Sequence, residues 1–166
     1  FGFTENEVFD ALDEAGLSEE KGLVKSWYDG FVFGQFKDMY NPWSITNFLD
    51  KRELQAYWAD TSSNRLVGRL IQTASGEIKE KMELLLEGTQ VVENFDEQIV
   101  FEQLDHNESA IWSLLLASGY LKAVEIEYRG IYRKPWFHLA ITNMETEGMF
   151  AGMFRGWFSA AASNYN

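Results

Sequence analysis

The sequence predicts a mainly α fold of the α+β type, on three observations. Apolar residues recur at helical spacing between well-marked caps over most of the chain. β-prone runs are confined to three short places, near residues 31 to 40, 89 to 95 and 120 to 141. A 46% share of hydrophobic residues in 166 is ample for a packed core.

The first helix opens at Thr4 and Glu7, which have capping-box spacing. Val8, Phe9, Leu12 and Ala15 recur behind them, and Gly16 is placed to end the helix. A second helix runs from Ser18 to about Tyr28. Gly30 and Gly34 then bracket Phe31, Val32 and Phe33, one arm of a short hairpin that returns through Met39 and Tyr40. Asn41 and Pro42 form an N-cap and first-turn pair, since proline lacks the N–H that a helix start leaves unbonded. A helix is expected from Pro42, carrying Trp43, Ile45, Phe48 and Leu49. The run KSWYDGFVFG at 25 to 34 thus sits at a helix–hairpin–helix junction, where glycines turn the chain and aromatics fill the corner.

A helix capped within TSSN (61 to 64) carries Leu66, Val67, Leu70, Ile71 and Ala74. The next spans about Glu77 to Glu87, with Ile78, Met82, Leu85 and Leu86 inward, and Gly88 ends it. TQVVENF (89 to 95) is a strand candidate, followed by a helical turn at 99 to 104 and a helix at 107 to 118 stopped by Gly119. From Tyr120 a long hairpin turns near 128 to 130 and returns to about Ile141. This order over 77 to 141 is that of a winged-helix-like unit with a small antiparallel β-hairpin. A last helix opens with a second capping box, Thr142 to Glu145, and sets Phe150, Met153, Phe154, Trp157 and Phe158 on one stripe. The expected divisions are 1–63, 64–141 and 142–166.

A formal charge of −12 and a pI near 4.5 repel polyphosphate, so binding of nucleic acid by the surface as a whole is not expected. The absence of cysteine removes disulfides, thiolate nucleophiles and cysteine zinc sites, which fits a cytoplasmic protein. No apolar run approaches the ~18 residues of a membrane span, and no stretch reads as a basic-then-apolar leader. The chain opens at Phe1 rather than methionine, so a piece of something longer is expected. Catalytic constellations are thin. His106 and His138 have no ligand spacing, no serine has G-x-S-x-G context, and Glu19 with Glu20 or Asp96 with Glu97 diverge as sequence neighbours. No catalytic residue and no metal site is expected.

The succession FGFTENEV, WYDGFVFG, YNPWSITNFL, YWADTSSN, WSLLLASGYL and a closing amphipathic helix resembles the AAA-ATPase-like family of bacterial proteins that often carry a C-terminal PD-(D/E)XK nuclease-like domain. The resemblance implies a helical lid-like subdomain and a winged-helix-like segment downstream of a nucleotide-binding core. It implies ATP and magnesium for the parent protein, with the missing ATPase core and a downstream domain as partners. The phosphate-binding string GxxxxGK[ST] is absent, so no ATP hydrolysis is expected from this chain alone, and no cofactor is assigned to it. EEK at 19 to 21 and EIK at 77 to 79 match part of the nuclease motif but fall in predicted helices rather than on a strand.

By the same resemblance, Pro42 and Trp43 would approach the nucleotide base, while Tyr28, Asp29 and Asn41 fix the lid against the core. Read from the residues alone, Trp27, Tyr28, Phe31, Phe33, Tyr40 and Trp43 form a corner core, with Asp29 serving a turn and Asn41 a cap. A second candidate is YRGIYRKPW at 128 to 136, where Arg129, Tyr132, Arg133 and Lys134 could touch nucleic acid or a protein partner. The helix at 107 to 118 has no lysine or arginine, so DNA reading by it is not expected. Ser62, Ser63 and Asn64 read as a helix cap or a partner contact. The terminal stripe closes the domain or docks onto the next one, and its single Arg155 argues against a membrane partner. Two alternative functions are therefore expected, the first leading. One is a noncatalytic lid and winged-helix portion that clamps nucleotide and couples domains; the other is an interaction module acting through the wing and terminal helix.

Overall fold

In the computed structural model, residues 2–33, 35–58, 62–95 and 108–163 are described. They form seven α-helices and two small antiparallel sheets, a mainly α arrangement of the α+β type. The predicted turn at 99 to 104, the start of the helix at 107, and the side chains of Ser62, Ser63, Trp157 and Phe158 lie outside what is described.

Helix α1 (Glu5–Glu14) has the predicted capping box in both directions. Thr4 Oγ1 accepts from the Glu7 N–H at 3.2 Å and Glu7 Oε2 accepts from the Thr4 N–H at 2.9 Å. A 3-10 turn at Ser18–Glu20 leads into α2 (Lys21–Tyr28). Strands β1 (Phe31–Phe33) and β2 (Phe36–Met39) form the short hairpin, and Tyr40 bridges back to Phe3. Helix α3 (Pro42–Lys51) follows. The first core lies among these elements and holds Val8, Leu12, Val24, Tyr28, Tyr40, Ile45 and Phe48.

Beyond them come α4 (Ser62–Thr73), α5 (Gly76–Leu86), β3 (Val91–Glu93), α6 (Ala110–Ala117), β4 (Leu121–Arg129), β5 (Lys134–Ile141) and α7 (Met144–Ser163). The sheet runs in the order β3-β5-β4, with Val91 opposite Leu139 and Leu121 opposite Ile141. The hairpin reverses through residues 130 to 133, where Gly130 and Arg133 take positive φ. The second core gathers Ile71, Met82, Trp112, Leu115, Tyr120, Phe137, Leu139, Phe150 and Phe154, so part of the predicted terminal stripe closes this unit.

One predicted cap is displaced by a residue. Helix α7 is capped by Asn143 and Thr146: Asn143 Oδ1 accepts from the Thr146 N–H at 3.0 Å and Thr146 Oγ1 accepts from the Asn143 N–H at 3.1 Å. Thr142 instead donates its hydroxyl to the Gly119 carbonyl at 2.7 Å, and Glu145 turns inward. Trp43, read as a corner-core ring, points outward and is 59% exposed.

Candidate functional site

Residues 28 to 31 of the aromatic run lie against the second unit. Tyr28 is on the inward stripe of α2, and its phenol donates to the Gln55 carbonyl at 2.9 Å while accepting the Gln55 N–H at 3.1 Å. Burial raises the phenol's pKa well above the ordinary tyrosine range. Asp29 ends α2; its carboxylate accepts the Gly30 N–H at 2.7 Å and stands 3.9 Å from the Lys25 ammonium. Burial pushes this carboxyl upward. Gly30 has φ +97°, and a Cβ there would lie 2.8 Å from the Thr142 carbonyl oxygen. At Gly119, also at positive φ, a Cβ would meet the Phe31 ring at 2.6 Å. Both glycines therefore serve close approach between the units, and the Asn143 side-chain amide seals the junction by donating to the Asp29 carbonyl at 2.7 Å.

Helix α3 presents its start on two sides. Asn41 Oδ1 accepts the Trp43 N–H at 2.9 Å, with Pro42 in the first turn. The Trp43 indole N–H donates to the Tyr57 carbonyl at 3.0 Å. One position on, about 100° around the helix, Ser44 is fully buried, and its hydroxyl lies 2.8 and 3.0 Å from the two carboxyl oxygens of Glu145. Glu145 is 0% exposed and also accepts the backbone N–H groups of Tyr57 and Trp58. Burial pushes its carboxyl up to about 7, against these hydrogen bonds, which favour the charged form.

These contacts converge on residues 53 to 58, which have no regular secondary structure beyond a turn and cross from one unit to the other. Leu54 and Tyr57 pack on the first core, Ala56 and Trp58 on the second. The Trp58 ring stacks on Tyr120 at 4.6 Å and meets Phe31 edge-on at 5.7 Å. Tyr28, Trp43 and Glu145 thus each hold one stretch of backbone, and α2, β1, α3 and α7 meet there. Sequence reasoning missed Glu145 because it read the residue as the capping-box partner of Thr142. The available signal was that Glu145 shares a helical stripe with Met149 and Met153, whereas Asn143 and Thr146 carry the same box spacing one residue later.

The basic wing candidates lie elsewhere. Arg129 pairs with Glu127 at 2.9 Å and covers the Trp136 ring at 4.5 Å. Glu127 also meets His138 Nε2 at 3.1 Å, and Arg129 with His138 holds its carboxyl down to about 2. Arg133 covers the Tyr128 ring at 5.4 Å. Lys134 is exposed at the start of β5, and Tyr132 and Ile131 at the tip are 83% and 89% exposed. Within this hairpin, Arg129 is engaged by an internal carboxylate, so the apolar tip is the freer contact surface. No hydrogen bond, ion pair or ring contact among the described residues joins this group to Tyr28, Asp29, Asn41, Pro42 or Trp43.

A cleft of about 790 Å³ lies between the β1–β2 hairpin, the end of α5 and the start of α7, with Lys37, Asp38, Lys122 and Glu147 on its walls. An adjoining hollow of about 450 Å³ is lined by Val32, Leu116, Val124 and Ile126. Ser44 and Glu145 line neither of these two hollows, and this hydroxyl and carboxyl can hold a proton between them. Among the described residues no three His, Asp or Glu side chains could hold a metal ion together, and no helix is long and apolar enough to cross a membrane. Comparison with protein-family models, with curated proteins and with solved structures found no match to this chain.

Proposed function

We propose that the chain is a noncatalytic coupling element, the lid and winged-helix portion of a cytoplasmic AAA-ATPase-like protein, which clamps nucleotide at Pro42 and Trp43 and passes the bound state to a neighbouring domain. The observation that carries this proposal is the adjacency at the start of α3. The exposed Trp43 ring and the buried Ser44 hydroxyl are consecutive, and both reach the crossing segment, one directly at the Tyr57 carbonyl and the other through Glu145. A base stacked on the outer face of Trp43 acts on the same peptide group that Glu145 holds. A lid transmits a state only through contacts that differ between bound and free forms, and this peptide is where such a difference would reach α7. The phosphates and magnesium would be held by the core upstream, with Pro42 and Trp43 closing on the base.

The test is calorimetric titration of ATP with magnesium into the longer protein that includes that core. A ring stacked on a base contributes about 1–3 kcal/mol, so Trp43→Ala is expected to weaken binding roughly tenfold, and Pro42→Ala to weaken it less. Unchanged affinity in both variants would refute the clamp. A second proposal is an interaction module, favoured by the exposed apolar tip at Ile131 and Tyr132 beside Arg133 and Lys134. It requires that Tyr132→Ala abolish partner capture while leaving nucleotide affinity untouched.

A further inference from the structure

We propose that Glu145 is a proton-gated latch that, when protonated, pins the crossing segment at 55 to 58 to α3 and α7 and, when ionised, loosens it. The inference stands apart from the nucleotide reading, because it uses only groups within this chain.

The geometry is unusual for a carboxyl group. Glu145 is fully buried at a junction of three segments, with Ser44 from α3 and the Tyr57 and Trp58 amides from the crossing segment as its partners. The titratable side chains nearest in this network are the phenols of Tyr28, on α2, and Tyr57. On its own helix the next acid, Glu147, is exposed and lines the outer cleft. No lysine, arginine or histidine among the described residues forms an ion pair with Glu145. A buried carboxylate without a cation bears most of its desolvation cost, which the hydrogen bonds and the start of α7 offset in part.

Protonation keeps every partner. The carboxyl O–H then donates to Ser44 Oγ, and the carbonyl oxygen remains free to accept the two amides. Ionisation leaves the same contacts but places a full charge in an apolar seam, and the charge is relieved when the segment opens to water. The direction follows from linkage. The buried group binds its proton more tightly than an exposed carboxyl, whose ordinary value is 4.5, so the closed seam is favoured most below that value. The advantage is lost as pH rises toward about 7, with no further loss above it.

The experiment is amide hydrogen exchange at Tyr57 and Trp58 between pH 5.5 and 8, corrected for intrinsic exchange, in the unmodified chain and in Glu145→Gln. Glutamine keeps the shape and can donate to Ser44 while accepting from the amides. In the unmodified chain the opening constant is expected to rise about tenfold per pH unit up to neutrality and then level off; in Glu145→Gln it is expected to stay flat. Equal pH responses in the two proteins would overturn the latch. Should Glu145→Gln fail to fold, carbon-detected titration of Glu145 in the unmodified chain decides. A midpoint near neutrality supports the latch, and one in the ordinary carboxylate range overturns it.

Discussion

Single residues set how closely the two units approach. Gly30 combines φ +97° with a neighbour 2.8 Å from any Cβ, while Gly16 has φ +75° and open space around it. Gly30→Ala therefore meets strain and collision together, and Gly16→Ala meets strain alone. The expected losses are about 3 kcal/mol or more at Gly30 and about 1 kcal/mol at Gly16, measured by urea unfolding. Equal losses would mean that the Thr142 carbonyl yields freely. Glycines 30 and 119 were legible as turn formers, because the letter G between apolar runs marks a reversal. Their second role was not legible, since the atoms they admit come from residues far along the chain. Trp43 shows the opposite limit. Its helical position was correctly predicted, but the outward side of a short helix start depends on what packs against it.

At the scale of elements, local rules carried most of the reading. The α1 box, the Asn41–Pro42 start and the glycine stops after α5 and α6 were each written within a few residues, which is the range over which capping chemistry acts. The α7 start failed for the same reason that it was tempting: two overlapping boxes share the spacing, and burial of Glu145 decided between them. Asn143 closes its helix and also donates to the Asp29 carbonyl. Asn143→Ala should therefore cost more than an exposed cap, about 2 kcal/mol against about 1 kcal/mol for Thr4→Ala, by thermal or urea unfolding. The β4–β5 hairpin was predicted with nearly its observed bounds. That Glu127 would engage Arg129 and His138 could not be read from spacing alone, since it requires the register of Glu127 opposite Trp136.

For the molecule as a whole, the two hydrophobic cores are joined by a polar seam whose bonds span the chain. Ser44 and Glu145 are 101 residues apart, and Asn143 reaches a carbonyl 114 residues away. Neither contact leaves a local mark, so the sequence displayed the pieces and not their junction. Raising a carboxyl from 4.5 to about 7 corresponds to a loss of about 3 kcal/mol of stability across that pH window. Glu145→Gln should accordingly gain most over the unmodified chain above neutrality. The most direct test of the seam is a double-mutant cycle of Ser44→Ala and Glu145→Ala by urea unfolding at pH 7.5, since each change removes the shared hydrogen bond. If α3 and α7 are joined there, the pair should show a coupling of about 1 kcal/mol or more; strictly additive effects would contradict the junction.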